Sequence, residues 1–206
     1  MPDKARNKRL RILVSRLNKE RKKQDKKIDI LCNDLVGAQK TFIEKLDTFV
    51  FAANFYESII GKIELDELFC AAGRVIKEEV KDVNVALFLR QQDNFELYAP
   101  CDNQKADDGN EPLESMFTRD LVDNICKNNK PCMLDDMLTM GLQLKPSLLS
   151  KISAAVIPLV RSGLSVGFIL IYRWSGQKLQ TDELKNILAV TNGLASAIVS
   201  CQAICY

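Results

Sequence analysis

Thiols and one pair of adjacent carboxylates are the side chains of this sequence whose chemistry could serve a reaction. The seven cysteines are odd in number and contain no CxxC pair, which argues against a disulfide framework and against a zinc ribbon. We therefore expect reduced thiols, of which a reactive one would need a lowered pKa and a second thiol within reach. The cysteines stand at positions 32, 70, 101, 126, 132, 201 and 205.

Histidine is absent from the sequence, so a Ser-His-Asp triad is excluded. Asp135 and Asp136 are adjacent and could provide polar groups to a pocket or oxygen ligands to a metal ion. A solvated or helix-capping pair of carboxylates is the more common arrangement in proteins. The sequence therefore predicts no catalytic residue and no metal site.

The composition is that of a globular protein, with 47% hydrophobic and 27% charged residues. No apolar run approaches the roughly 20 residues that span a bilayer, and the first residues are charged, so we expect a cytoplasmic protein without membrane contact. The charge is unevenly distributed. Residues 1–30 hold twelve Lys or Arg and four Asp or Glu, a net charge of +8, whereas residues 31–206 hold 17 basic and 23 acidic residues, a net charge of −6.

A heptad repeat extends from Leu10 to Ile59 without a stutter, and twelve of its fifteen a and d positions are apolar or aromatic. An apolar stripe sustained over so many heptads favours a partner helix. We therefore predict a parallel homodimeric coiled coil and a domain boundary after residue 48, with Arg21 and Gln24 as a polar break. The residues predicted to form this seam are Leu10, Val14, Leu17, Ile28, Leu31, Leu35, Phe42, Phe49, Tyr56 and Ile59.

The basic residues between positions 4 and 27 fall mostly outside the a and d positions. Their expected role is the solvated face of the coiled coil. Binding of nucleic acid through this basic N-terminal segment, or contact with an acidic membrane, is the less favoured alternative. No aromatic residue interrupts the basic block, and no helix-turn-helix or zinc-finger spacing follows it.

Beyond Gly61 the pattern predicts an α+β domain built on an antiparallel sheet. Residues 83–90 and 94–100 have the composition of paired strands, and residues 153–173 form a hairpin that is apolar at nearly every position. Because this hairpin does not alternate, both of its faces must be covered. Pro158 predicts a bulge in the first strand of the hairpin.

The segments around these strands carry helix and loop signals. Thr118 precedes a short helical pattern that must stop before Pro131, and Thr181 precedes a longer one, so we expect each threonine to cap its helix. Residues 131–134 are predicted as a short strand. Residues 101–112 are polar and contain Gly and Pro, which indicates a surface loop.

From about Phe49 to Cys201 the chain resembles a GAF domain, a regulatory small-molecule module related to PAS domains. The resemblance is carried by LDELFCAAGRVI, by VALFLR, and by SAAVIPLVRSGLSVGFILIYR followed by LQTDELKNILAVTNGLASAI. It implies a GAF/PAS-like antiparallel sheet with the first and last helices on one face and a ligand pocket on the other. We predict that this pocket involves Phe88, Cys126, Cys132, Asp135 and Asp136.

The ligand that the resemblance implies is an unknown small molecule, and the cofactor is likewise unknown. GAF domains that bind cyclic nucleotides carry a dispersed Asn-Lys-Phe-Asp-Glu signature, but Asn129-Lys130 is followed here by PCMLDDM, which contains no phenylalanine. Relatives that attach bilins place a cysteine beside a histidine, and haem sensing usually requires an axial histidine. This chain contains no histidine, so neither cofactor is expected.

These observations favour a non-enzymatic sensory or scaffolding protein that dimerises through its coiled coil and signals through an unidentified partner protein. The alternative is a thiol-based redox sensor or an enzyme like the free methionine sulfoxide reductases, which are GAF-domain relatives. The segments around Cys101, Cys126 and Cys132 do not match the cysteine motifs of those enzymes.

Overall fold

A computed structural model describes residues 2–91, 94–99, 112–174 and 177–204 of the chain. The chain divides into two compact units, Met1–Asp47 and Thr48–Tyr206, and the boundary predicted from the sequence was after residue 48. Residues 101–111 of the predicted surface loop, Cys101 among them, lie outside the described residues. The turn between the first two strands, at residues 92 and 93, lies outside them as well.

The first unit consists of the greater part of helix α1, which spans Pro2–Ile59. Proline is absent from the helix after its first residue, and its one glycine, Gly37, accepts a hydrogen bond from the Thr41 hydroxyl at 3.0 Å. Within this unit the predicted seam is exposed in the single chain, and the coiled coil stays a prediction. The exposed seam side chains of this unit are Leu10, Val14, Leu17, Ile28, Leu31, Leu35 and Phe42.

The second unit is an α+β domain with a five-stranded sheet, and every neighbouring pair of strands is antiparallel, as predicted. The strand order is β2-β1-β5-β4-β3. After the end of α1 the elements are α2 (Leu65–Glu79), β1 (Asn84–Gln91), β2 (Asn94–Tyr98), a 3-10 helix (Leu113–Met116), α3 (Arg119–Asn128), β3 (Cys132–Met133), α4 (Leu134–Thr139), α5 (Pro146–Leu149), β4 (Ser153–Arg161), β5 (Leu164–Arg173) and α6 (Thr181–Ile204).

The β4–β5 hairpin explains why its sequence is apolar at nearly every position. Alternate side chains such as Ile157 and Ile169 face a core built with α2, α6 and the last turns of α1. The intervening side chains, such as Val156 and Leu170, face a second core built with α3 and α4. Both faces of the hairpin are therefore covered, and we call the side packed against α3 and α4 the second face of the sheet.

The end of α1 corrects one part of the predicted seam. Ile59 is only 6% exposed and packs in the first core of its own domain, so it is unavailable to a partner helix. Tyr56 remains 38% exposed, and Phe49 is 71% exposed. A heptad repeat cannot distinguish a residue buried in its own domain from one available to a partner helix. Packing on the domain's own core requires the same helical spacing as packing on a second helix.

Two further expectations concern helix starts. Thr118 caps α3 as predicted, because its hydroxyl oxygen accepts a hydrogen bond from the Leu121 N–H at 3.3 Å. The expectation for Thr181 is wrong, since Thr181 is itself the first residue of α6. The N–H of Gln180, just before the helix, instead donates to Glu183 Oε2 at 2.7 Å.

The predicted bulge lies one position beyond Pro158, and its extra residue is in the other strand. Pro158 pairs in register with Phe168, and the register shifts between Leu159 and Val160. Leu159 pairs with Gly167 and Val160 pairs with Ser165, so the extra residue is Val166 of β5. The adjacent Gly167 has a φ of +153°, a backbone conformation that residues other than glycine rarely adopt.

By length and composition alone, α6 could cross a membrane over Thr181–Ala203. Its apolar side chains from Leu184 to Cys201, however, form part of the first core of the domain. A core helix of this kind passes the same compositional test as a membrane span. The buried stripe accounts for the hydropathy of the helix without a bilayer.

Near its start, α6 is tied to β5 by an ion pair between Arg173 Nη2 and Glu183 Oε1 at 2.8 Å. Desolvation by itself would raise the pKa of Glu183. The Gln180 N–H and the Arg173 guanidinium outweigh that effect, and the net result is a lowered pKa. The ionised carboxylate therefore stabilises the folded domain.

Glu183→Gln is expected to destabilise the domain at neutral pH and to flatten its acid dependence. The stabilisation from Glu183 is complete above the ordinary carboxyl pKa of about 4.3 and is lost as pH falls through the lowered pKa of the folded state. Urea unfolding between neutral and acid pH measures it, with Asp182→Asn as a charge-removing control in the same helical turn. Equal pH slopes for both variants and the wild type would contradict this role.

Candidate functional site

The second face of the sheet is the candidate functional site. Three of the five residues predicted for a pocket, Phe88, Cys126 and Cys132, are buried in the core at this face. They come from β1, α3 and β3, so the fold brings together residues that are up to 44 positions apart in sequence. Asp135 and Asp136 lie on α4, which covers the same face, and both are exposed.

Aromatic rings form the middle of this face. The rings of Phe88 and Phe168 stack with centroids 4.7 Å apart and an interplanar angle of 19°. Phe117, between the 3-10 helix and α3, stacks on Phe88 at 5.1 Å and lies 6.0 Å from Phe168. Sequence reasoning identified Phe88 but missed Phe117, whose place beside two strand residues follows only from the tertiary fold.

A buried hydrogen-bonded pair lies farther along β5 on the same face. The Tyr172 hydroxyl donates to Glu114 Oε2 at 2.6 Å, although the two residues are 58 positions apart. Burial, followed by the hydrogen bond to Glu114 and its negative charge, raises the pKa of Tyr172 well above its usual range. The Asn84 side chain and the Leu113 backbone partly oppose this rise. Tyr172 therefore stays protonated and acts as a hydrogen-bond donor.

Both cysteines of the site are buried thiols. Burial raises the pKa of Cys126, against smaller opposing effects of the Ser165 hydroxyl and the Arg90 guanidinium. Burial also raises the pKa of Cys132, whose Sγ accepts from Asn128 Nδ2 at 3.2 Å and donates to the Lys130 carbonyl at 3.1 Å. A thiol with a raised pKa is largely protonated at neutral pH and is a poor nucleophile.

Of the carboxylate pair, Asp136 caps the start of α4. Asp136 Oδ2 accepts a hydrogen bond from the N–H of Met133, the residue before α4, at 3.0 Å. An acceptor at the third position of a helix in this way satisfies an N–H that the helix itself leaves free. Among the described residues, no group of three or more His, Cys, Asp or Glu side chains is placed to hold a metal ion.

Tyr172→Phe is expected to destabilise the domain by about 1–3 kcal/mol, because the Glu114 carboxylate loses a buried donor. Chemical unfolding followed by circular dichroism measures the change. A matched double variant, Tyr172→Phe with Glu114→Met, removes both partners and should recover much of the loss, since no polar group is then left unpaired. A double variant no more stable than the single one would contradict the proposed pairing.

Comparisons with known proteins address the fold of this unit. No family model matches the sequence. No curated protein matches it either. Solved structures, in contrast, align over about three quarters of the chain at low sequence identity.

Three of these structures illustrate the extent of the similarity in identity, coverage and TM-score. The GAF domain of a phosphoenolpyruvate-protein phosphotransferase from Coxiella burnetii aligns with a TM-score of 0.54 and 13% identity, covering 77% of this chain and 96% of that one. The GAF domain of the Acinetobacter phosphoenolpyruvate-protein phosphotransferase aligns with a TM-score of 0.56 and 11% identity, covering 76% and 96%. A free methionine-R-sulfoxide reductase from Neisseria meningitidis, in complex with its substrate, aligns with a TM-score of 0.55 and 14% identity, covering 77% and 93%.

The sheet order, the two cores and these alignments define an α+β architecture built on one antiparallel sheet. The second unit has the fold of a GAF domain, as the sequence predicted. Because the neighbours include GAF domains of phosphotransferases as well as a sulfoxide reductase, all at low identity, the fold by itself does not select an activity.

Proposed function

We propose that this chain is a non-enzymatic, cytoplasmic sensory or scaffolding protein whose GAF-fold unit binds a small molecule at the second face of the sheet. The observation that supports binding over catalysis is the chemistry of that face. It combines three neighbouring phenylalanine rings with a buried Tyr172–Glu114 hydrogen bond and two thiols whose pKa values burial raises. Most of these side chains are buried under α3 and α4, so a ligand bound there would lie between those helices and the sheet. Their lining suits a ligand with an apolar body and a hydrogen-bonding group.

The proposed protein is a homodimer joined through α1. The seam side chains from Leu10 to Phe42 are exposed in the single chain, and burying such a stripe requires another helix. From Thr48 onward the same helix contributes Phe51 and Phe55 to the first core. The strands contribute side chains to both cores, so a shift of the sheet on ligand binding would move α1 and its pairing with α1 of the second subunit. An unidentified output protein would read the change.

Thiol chemistry is the alternative function. It is suggested by the reductase among the structural neighbours. Alkylation of the folded protein, mapped by mass spectrometry, separates the two functions. We expect rapid modification of the exposed Cys32 and Cys70, and slow modification of the buried Cys126, Cys132 and Cys201 until the protein is unfolded. Rapid reaction of Cys101, Cys126 or Cys132, together with turnover of free methionine sulfoxide, would favour a thiol enzyme over a binding protein.

Native mass spectrometry of the full chain, purified from its own host, tests the proposed function most directly. The expected spectrum is that of a dimer, with additional mass from a retained small molecule that is released on denaturation. A monomer at micromolar concentration would overturn the dimer. Copurifying nucleic acid that dissociates steeply with salt would instead favour the alternative role of the basic N-terminal segment.

A further inference from the structure

The first unit carries a basic face along α1 between positions 8 and 27. The helical repeat places eleven of these twenty residues on one side of the helix, and nine of the eleven are Lys or Arg. One row consists of Lys8, Arg11, Lys19, Lys22 and Lys26. The adjacent row consists of Arg9, Arg16, Lys23 and Lys27. We call the two rows the basic face, and every one of its residues is exposed in the single chain.

Few acidic side chains accompany this face. Glu20 and Asp25 are the acidic residues between positions 8 and 27, and the helical repeat places both outside the two rows. Asp25 forms an ion pair at 4.0 Å with Arg21, which is also outside the basic face. The face therefore presents a large excess of positive charge over about 30 Å of helix, at about 1.5 Å per residue.

An apolar stripe lies on the opposite side of the same helical turns. Its members, Leu10, Leu13, Val14 and Leu17, are all exposed in the single chain. Because the stripe and the basic face point in opposite directions, one can be covered while the other stays accessible. A partner on the basic face is therefore compatible with the seam predicted for α1 and does not require it.

The composition of the segment favours a nucleic-acid duplex over a membrane. A helix that lies in a membrane interface inserts its apolar side, and insertion of the Leu10–Leu17 stripe would turn the basic face away from the lipid headgroups. Residues 18–27, NKERKKQDKK, also contain no apolar side chain that could insert. No aromatic residue precedes Phe42, so the segment lacks the rings on which the bases of single strands stack.

We propose that the basic face of α1 binds the phosphate backbone of a nucleic-acid duplex without sequence preference. Duplex DNA carries one negative charge per about 1.7 Å of its axis, so a row of cations about 30 Å long can contact several phosphates. Phosphate contacts position a protein on the duplex but do not read its bases. This binding is an additional function of the chain and depends neither on the small-molecule site nor on the dimer.

Fluorescence anisotropy of a labelled DNA duplex of about 30 base pairs, titrated with the full-length protein, tests this proposal. Two duplexes of unrelated sequence are expected to bind with dissociation constants within about threefold of each other. The logarithm of the binding constant should fall with the logarithm of the salt concentration with a slope of about −4 or steeper. Such a slope corresponds to about five phosphates, each contributing about 0.9.

The triple variant Lys19→Gln, Lys22→Gln and Lys26→Gln tests the location of the contact. It is expected to weaken duplex binding at least tenfold near physiological salt and to reduce the magnitude of the salt slope by about 2.7, because three phosphate contacts are lost. Glutamine has nearly the helix propensity of lysine, so α1 should be retained, which circular dichroism checks.

A matched control removes the same number of positive charges from the second unit. Lys127→Gln, Lys145→Gln and Lys151→Gln replace three exposed lysines there. This variant should bind the duplex with the affinity and salt slope of the wild type. An equal loss in both triple variants would show that net charge, and not the basic face, determines binding.

Two further outcomes would overturn the proposal. One is a wild-type protein that does not bind either duplex at low salt, or that binds one sequence far more tightly than the other. The second is cosedimentation with phosphatidylserine-containing vesicles without duplex binding, which would make an acidic membrane the partner. Neither outcome affects the proposed function, whose dimer and retained small molecule are measured separately by native mass spectrometry.

Discussion

Gly167→Ala is expected to destabilise the GAF-fold unit by more than about 4 kcal/mol, enough to unfold many single domains. Two effects act together. Gly167 has a φ of +153°, and a Cβ at this position would overlap the carbonyl oxygen of Phe88 in the neighbouring strand. Neither the β1–β5 ladder nor the bulge beside Gly167 can relax without disturbing both cores, because β5 is the central strand of the sheet.

Gly163→Ala separates these two effects. Gly163 has a φ of +80° at the turn of the same hairpin, but a Cβ there would meet no atom within 4 Å. Its cost should be limited to backbone strain, about 1–3 kcal/mol. Urea unfolding of the two variants, followed by circular dichroism, gives the comparison. Equal stability of the two variants would show that the close approach of Phe88 does not limit residue 167.

Elements that depend on local pattern could be predicted from the sequence. The continuous apolar run at residues 153–173 predicted a hairpin covered on both faces, and Thr118 predicted the start of α3; both are confirmed. The bulge was placed at Pro158 because proline is a local signal. Its actual position depends on Gly167 and on the neighbouring carbonyl of Phe88, which is a contact between distant strands.

The residues of the candidate site could likewise be predicted only where the sequence or the GAF resemblance indicated their position. Phe88, Cys126 and Cys132 could be assigned to one face because they lie in segments that the GAF resemblance places there. The Tyr172–Glu114 pair could not be predicted. One residue is a tyrosine at the end of an apolar strand and the other is an acidic residue after a polar loop, and nothing in the sequence indicates that the two are in contact. Their pairing arises only when the 3-10 helix packs on the sheet.

Leu35→Glu is expected to dissociate the dimer, raising its dissociation constant at least a hundredfold, which corresponds to about 2.7 kcal/mol. Leu35 is an exposed a position of the predicted seam, and a pair of glutamates there would bury two like charges. Lys40→Glu also introduces an acidic residue on the same helix, but at an outward f position, and should retain the dimer. An unchanged dissociation constant for Leu35→Glu would show that the seam is not the interface.

The orientation of the two helices has a separate electrostatic signature. In a parallel dimer the two segments 1–30, each with a net charge of +8, lie side by side and repel each other. Salt screens this repulsion, with a Debye length of about 8 Å at physiological ionic strength, so the dimer should tighten as salt is added. A Leu17→Cys variant in a Cys32→Ser background should also form an intersubunit disulfide, because Leu17 is a d position far from the middle of the seam, whereas Lys19→Cys at an f position in that background should not. Weaker dimerisation at high salt, with no Leu17→Cys disulfide, would instead indicate antiparallel helices, in which each basic segment attracts residues 31–59 of its partner, which hold two basic and four acidic residues.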